Sequence, residues 1–119
     1  MCMKKFFVLS LVLVAISLVE AKSQIIPTSL TLTVRDELGN TVEGARVKLF
    51  QKEKDYLEEA NVCFEGVTDK KGVVKFKRLE PRSYFVIARK GDSNNAGGGE
   101  QTGKLEPGKF NKATVIINE

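Results

Sequence analysis

Neither histidine nor tryptophan occurs among the 119 residues of the chain. Histidine is the most common general base in enzymes and a principal zinc ligand, so its absence removes both roles. It also excludes catalytic sites of the Ser-His-Asp or Cys-His type. The turn over residues 69–72 carries two lysines where further calcium-binding acids would stand. We therefore expect a protein that is not an enzyme and that holds neither a cofactor nor a metal ion.

Long apolar runs are confined to the N-terminus. Lys4 and Lys5 precede an apolar stretch over residues 6–19, and the small residue Ala21 follows it. This order is typical of a cleavable secretory signal peptide. The stretch of about 14 residues is shorter than the roughly 20 that span a bilayer. We predict a signal peptide over residues 1–21, export to the periplasm or the exterior, and no stable membrane span after cleavage. An uncleaved anchor helix is the alternative.

Cysteine is scarce, since the chain contains only Cys2 and Cys63. Cleavage after Ala21 would leave Cys63 alone, and a single cysteine forms no disulfide within its own chain. Its small side chain suits a position on a strand. We expect Cys63 to stay unpaired, although compartments outside the cytoplasm are oxidising.

No long block of charge of one sign occurs in the chain. The 19 basic and 15 acidic residues give a net charge of +4 and are interspersed along the sequence. Nucleic-acid-binding proteins show a dense basic face with aromatic side chains for stacking. The densest basic group here, between Lys75 and Arg78, is expected to be a solvated strand face. We therefore predict no nucleic-acid partner.

What the chain has in abundance is short runs of alternating apolar and polar residues. Leu30, Leu32 and Val34 alternate with polar residues, as in a strand that is buried on one face. Similar runs cover residues 45–50, 62–68, 73–78, 83–90 and 113–118. Roughly seven short strands with turn signals every 8–12 residues are typical of a β-sandwich. We predict an all-β, antiparallel β-sandwich over residues 30–119, preceded by a polar lead-in over residues 22–29.

Aspartate and glycine mark the turns between these runs. Asp69 begins and Gly72 ends a four-residue turn, as a type I turn prefers, and residues 36–44 carry similar turn chemistry. Residues 51–61 fit either a short helical turn or a polar loop. The glycine-rich residues 91–103 fit either a mobile binding loop or a slack connection between strands.

Three stretches of this pattern resemble a known family. Residues 34–47 (VRDELGNTVEGARV), 67–79 (VTDKKGVVKFKRL) and 80–86 (EPRSYFV) are similar to the opening strand, central turn and tyrosine corner of carboxypeptidase regulatory-like domains. In the last stretch, Arg82 and Ser83 stand where the family usually has glycine. The resemblance implies a transthyretin-like β-sandwich that serves as an accessory domain of exported and cell-surface proteins.

Related adhesin modules can form an internal bond between a lysine and an asparagine side chain. The lysine of those modules corresponds to Val34 in this chain, and Asn118 could stand in the last strand as its partner. Because the lysine is missing, we expect no such bond.

Candidate partner-binding residues lie on one strand face and in the glycine-rich loop. Residues 83–90 are apolar on both faces, which indicates a central strand or a strand with one face against a partner. If they point outward, Phe50, Phe85 and Ile87 would form an apolar patch, with Asn94 and Asn95 in the loop. We therefore predict a non-catalytic module for protein binding or structural support at the cell envelope, and its partner is an unknown envelope protein.

A carbohydrate-binding module is the alternative, with a cell-surface glycan as the partner. Tyr56, Tyr84 and Phe110 could act as stacking platforms, although Tyr84 also fits a buried corner position. An exposed row of aromatic side chains would favour the glycan. An exposed aliphatic strip beside an unpaired strand edge would favour a protein partner.

Expression of the complete chain in a bacterium tests the predicted signal peptide. The intact mass of the exported product should correspond to a chain that starts at Lys22, because signal peptidase requires a small residue such as Ala21 before the cut. The variant Ala21→Arg should accumulate uncleaved, whereas Val19→Ala should be processed normally. An exported product that retains residues 1–21 would support the anchor helix instead.

Overall fold

The structure, a computed structural model, describes residues 26–119. The predicted signal peptide and residues 22–25 of the lead-in lie outside the described residues. The elements follow in the order β1 (Ser29–Arg35), β2 (Arg46–Phe50), α1 (Glu53–Glu58), β3 (Phe64–Val67), β4 (Val73–Lys77), β5 (Phe85–Lys90), β6 (Ser93–Asn94) and β7 (Phe110–Ile116). In this part of the chain, no helix has the length and apolar character needed to cross a membrane.

The strands form two sheets around a common core. β1 lies in the middle of a three-stranded sheet with the order β4–β1–β7, and the other sheet has the order β3–β2–β5–β6. The predicted all-β, seven-stranded β-sandwich is confirmed. It is not purely antiparallel, because β1 and β7 run parallel. Parallel neighbours need a long connection, and here the five intervening strands provide it.

The core lies where the inner faces of the two sheets meet. Leu30, Leu32 and Val34 of β1 are completely buried, as their alternation predicts. Burying one large apolar side chain contributes roughly 1.5–3 kcal/mol, so this cluster is a main source of stability. Its other members include Val47, Leu49, Val74, Phe76, Val86, Ala88 and Val115.

Tyr84 closes the core at the corner before β5. The residue is only 1% exposed, and its hydroxyl oxygen accepts a hydrogen bond from the Glu80 N–H at 2.9 Å. Burial raises the pKa of the Tyr84 phenol. The predicted corner position is therefore confirmed, and Tyr84 is not accessible as a stacking platform for a sugar.

Two turns of the same design border one end of the three-stranded sheet. Asp36 and Asp69 each accept hydrogen bonds from the backbone N–H groups two and four residues further on, at 2.8–3.1 Å. The backbone hydrogen bonds from Val73 and Lys71 lower the pKa of Asp69. The turn predicted over residues 69–72 is confirmed.

Several details differ from the sequence-based expectations. Residues 51–61, which fitted a helix or a loop, contain α1. The closing strand starts at Phe110 and not at residue 113, because its parallel ladder with β1 extends back to Ser29. Cys63 takes part in a disulfide bond, which corrects the expectation that it stays unpaired.

Replacing Gly72 with alanine should destabilise the fold more than the same change at Gly39. Both glycines have positive φ, of 76° and 89°, and forcing alanine into that region costs roughly 1–2 kcal/mol. A Cβ at residue 72 would also lie 2.7 Å from the Thr41 Cβ and 3.0 Å from the Val42 nitrogen, whereas one at residue 39 meets nothing within 4 Å. The overlap should add about 1–3 kcal/mol. Thermal denaturation measures the difference, and equal midpoints would contradict the steric argument.

Candidate functional site

Part of the outer face of the four-stranded sheet is covered by α1, and the part that carries Arg46, Lys48 and Arg89 stays open. Phe50 and Ile87 lie on this face, but they are only 0% and 2% exposed. Tyr56 of α1 packs over them, with its ring stacked on half-buried Phe85 at 5.4 Å and edge-on to Phe50 at 6.2 Å between centroids. The expectation that Phe50, Phe85 and Ile87 form an exposed patch is wrong. The physical reason is that residues 51–61, which fitted either a helical turn or a loop, form α1 and pack over these side chains.

An ion pair fastens the end of α1 to β5. Glu59 follows the helix in a left-handed conformation with φ of 52°. Its two carboxylate oxygens each accept a hydrogen bond from the Arg89 guanidinium, both at 2.7 Å. These hydrogen bonds lower the pKa of Glu59 and outweigh the opposing effect of partial burial. This ion pair holds α1 in place over the apolar cluster of Phe50, Tyr56 and Ile87.

Asn95, the residue after β6, hydrogen-bonds through its side chain to the backbone of β5. Its side-chain oxygen accepts a hydrogen bond from the Ala88 N–H at 2.8 Å, and its amide nitrogen donates to the Val86 carbonyl at 3.0 Å. The Asn95 side chain therefore makes the two hydrogen bonds that the backbone of a neighbouring strand would make with β5. Both of its functional groups are used inside the fold.

Asn94 ties the glycine-rich loop to the end of the chain. Its backbone exchanges two hydrogen bonds with Asn118, at 3.0 and 3.1 Å. Further along the loop, the Gly99 N–H donates to the Tyr56 hydroxyl at 2.8 Å. The loop over residues 91–103 is thus bound along β5 and α1, and the two asparagines contribute to that attachment.

The outer face of the three-stranded sheet, by contrast, is left uncovered by the described residues. Register places Ser29 between Lys77 and Phe110, and Thr31 between Lys75 and Lys112. The same alternation continues to the end of β1. We call the outward positions the cationic face, which comprises Ser29, Thr31, Thr33, Arg35, Val73, Lys75, Lys77, Phe110, Lys112, Thr114 and Ile116.

The charge of the cationic face is of one sign. β1, β4 and β7 contain Arg35, Lys75, Lys77 and Lys112 but no aspartate or glutamate. The ion pairs found within residues 26–119 involve none of these four cations. Because like charges on one surface sum to a positive potential, the face attracts acidic groups.

A shallow depression of about 320 Å³ lies at one end of the cationic face. Ile26, Pro27 and Phe110 line it together with Lys75 and Lys77. Phe110 is 76% and Ile26 52% exposed. Among the described residues, Phe110 is the one large aromatic side chain in this exposed state, so they contain no exposed aromatic row.

β7 leaves one of its edges unpaired, since β1 is its partner in the described sheet. The Ser29 N–H donates to the Lys109 carbonyl at 3.1 Å, and the Ile117 N–H donates to the Arg35 carbonyl at 2.9 Å. The odd-numbered residues of β7 therefore bond to β1, and in a parallel pair the even-numbered ones direct N–H and C=O groups the other way. We call residues 110, 112, 114 and 116 the β7 edge.

The β7 edge does not follow from the predicted strands, because the predicted closing strand starts at Ala113 and the strand itself starts at Phe110. The sequence predicts Phe110 as a stacking platform and the lysines of β4 as a solvated face, and neither prediction points to a strand edge. The pattern that could have predicted the whole strand is the alternation over residues 110–116. In the structure, Asn111, Ala113 and Val115 are its more buried positions.

Two kinds of site are relevant here, a metal site and the internal lysine–asparagine bond of adhesin modules. Within residues 26–119, no three His, Cys, Asp or Glu side chains lie close enough together to hold a metal ion. Val34, which occupies the position of the adhesin lysine, lies opposite Val115 in the parallel ladder, and both are buried. Two valines therefore stand where the lysine of the adhesin bond would be, and Asn118 pairs with Asn94.

The fold is similar to solved structures that include pilus proteins. The chain is 20% identical to the major pilin subunit of Bacillus cereus over 79% of its length (TM-score 0.50) and 22% identical to the Bacillus anthracis TIE protein over 77% (TM-score 0.52). It is 14% identical to the pilus 2b backbone protein of group B streptococcus over 77% (TM-score 0.50). It spans 30%, 17% and 41% of those three chains. These similarities show a shared β-sandwich fold.

No model of a protein family and no curated protein matches the sequence. The resemblance to carboxypeptidase regulatory-like domains is therefore not confirmed as family membership.

The variant Glu59→Gln should remove part of the acid sensitivity of the fold. Because the folded-state pKa of Glu59 is lowered, its contribution is present above the ordinary carboxyl pKa and is lost as the pH falls through the lowered value. The side chain is 31% exposed, so the contribution near neutral pH should be about 1 kcal/mol or less. Unfolding at neutral and acidic pH measures it. The exposed Glu58→Gln is the matched control, and equal pH profiles for both variants would contradict the role of Glu59.

Proposed function

We propose that the chain is a non-catalytic β-sandwich module of the cell envelope that binds a protein partner through the β7 edge and the cationic face. One observation carries the proposal. An unpaired strand edge and an uncovered face of one charge occur together on β7. On the corresponding face of the other sheet, α1 covers the apolar cluster of Phe50, Phe85 and Ile87.

The β7 edge supports binding by addition of an extended strand from the partner. The outward-directed N–H and C=O groups of its four residues can form the main-chain hydrogen bonds that give such complexes their affinity. The side chains of Lys112 and Thr114 point to the cationic face beside them, where they select the partner. An acidic residue opposite Lys112 would be favoured, and a second cationic strand would be repelled. A lysine on an edge strand also suppresses unselective pairing.

The compartment is supported by three separate observations. The N-terminal pattern is that of a signal peptide, and the three quoted motifs resemble carboxypeptidase regulatory-like domains of exported proteins. Two of the similar folds are a pilin subunit and a pilus backbone protein. Together they favour a structural or adhesive role at the cell surface or in the periplasm.

A glycan-binding module remains the second candidate, and one observation favours it. Exposed Phe110 beside the depression offers a ring on which a sugar could stack. A single ring without a neighbouring aromatic side chain or buried polar partners is a weak platform. Exposed Phe110 and Ile116 instead stand at the two ends of the unpaired edge, which favours a protein partner that runs along it.

In-cell crosslinking of the tagged exported chain tests the proposal. We expect one envelope protein to be crosslinked through Lys112 and to be identified by mass spectrometry. Thr114→Pro should abolish this crosslink, because proline removes an N–H that points to the open edge and not to β1. Thr114→Val keeps the N–H and should behave as the unchanged chain does. A crosslink that survives Thr114→Pro would contradict strand addition.

The glycan alternative predicts a different outcome of the same experiment. No protein would be captured, and the chain would be retained on cell-wall or glycan fractions. That retention would be lost in Phe110→Ala and unaffected by Thr114→Pro.

A further inference from the structure

An acidic turn projects from the end of β1 that is remote from the cationic depression. Asp36, Glu37 and Leu38 lie beside Glu119 around a depression of about 270 Å³. Leu38 is 86% exposed, the highest value among the exposed large apolar side chains of the described residues. A leucine held in water between acidic residues at the tip of a turn is a suitable docking group.

The acidic turn is held rigid before any contact is made. Asp36 accepts two backbone hydrogen bonds across it, from the N–H groups of Leu38 and Asn40 at 3.0 and 2.9 Å. The Arg35 guanidinium, the nearest cation along the chain, donates to the Gly39 carbonyl at 2.7 Å. Glu37 has no ion-pair partner among residues 26–119. Little conformational entropy remains to be lost when the turn binds.

The depression at the other end of the sheet complements this turn in shape and charge. Most of its lining surface is apolar, Lys75 and Lys77 contribute positive charge, and no acidic residue of the described part of the chain lines it. A volume of about 320 Å³ accommodates a leucine side chain. The two ends are separated by the seven residues of β1, roughly 20 Å at the rise of a strand, so one molecule cannot join them within itself.

We propose that the acidic turn of one copy docks into the cationic depression of a second copy, so that the chains associate head to tail. Leu38 enters between Ile26 and Phe110, and Glu37 pairs with Lys77. The donor and acceptor surfaces are different and lie at opposite ends, so each copy can bind two others. Such a contact extends in a row and does not close as a symmetric dimer does.

The association should be weak and sensitive to salt. A turn entering a shallow depression covers less area than a stable interface needs, and exposed ion pairs are screened as ionic strength rises. A row of copies forms where the protein is concentrated. The inference goes beyond the proposed function: it uses the side chain of Phe110 but not the backbone groups of the β7 edge, and it requires no envelope partner.

Sedimentation velocity of the exported chain over a range of concentrations tests the contact at low salt. Glu37→Lys and Lys77→Glu should each weaken self-association by about tenfold, because each places like charges in contact. The double variant with both changes exchanges the two charges and should restore most of the association. Lys112→Glu lies on the same face outside the depression, and it should change association by no more than about twofold.

The exposed position of Leu38 allows a second test that does not alter charge. Leu38→Ser should weaken association by about tenfold, since it removes the apolar insertion, while the thermal midpoint stays that of the unchanged chain. A chain that remains monomeric at the highest attainable concentration would overturn the proposal. So would a double variant that associates no better than the single ones.

The two proposals can fail independently. Thr114→Pro, which blocks the β7 edge, should leave head-to-tail association unchanged. Glu37→Lys should leave the envelope crosslink at Lys112 unchanged. Loss of association in Thr114→Pro would assign the self-contact to strand pairing and overturn the head-to-tail model.

Discussion

The pairing of β1 with both β4 and β7 sets the register of the three-stranded sheet and places the core. Its backbone is paired on both sides, and Leu30, Leu32 and Val34 fill the centre of the core. Because side chains of a strand alternate between faces, a core-forming β1 must present its remaining residues to the outside. The same strand therefore stabilises the sandwich and sets the register of the cationic face.

The two outer faces differ in how their charges and apolar groups are compensated. On the four-stranded sheet, Arg89 pairs with Glu59, and Tyr56 covers the apolar side chains beneath it. On the three-stranded sheet, Lys75 and Lys77 stand beside an exposed Phe110 without acidic partners among the described residues. Exposed apolar surface rimmed by polar and charged groups is typical of interaction sites, and this contrast directs both proposals to the same sheet.

The strands and turns were predictable because their causes are local. The alternation in β1, the Asp69 turn and the corner at Tyr84 each depend on a few neighbouring residues, and all three were confirmed. The exposure of the candidate partner-binding residues was not predictable in this way. Phe50 and Ile87 do face outward from their sheet. The alternation of apolar and polar residues gives this direction, but it does not predict that α1 packs against these side chains. A six-residue helix has too little intrinsic stability to be recognised from its own sequence.

The fold class, the inward faces of the strands and the turn chemistry follow from the sequence, because steric and hydrophobic preferences act over a few residues. Which surfaces remain open follows only from the packing of the folded chain. Tyr56 reaches Phe85 and Gly99 across long separations in the chain, and β7 lies beside β1 from the other end of the sequence. Such contacts follow from the packing of the whole chain, which no local pattern records.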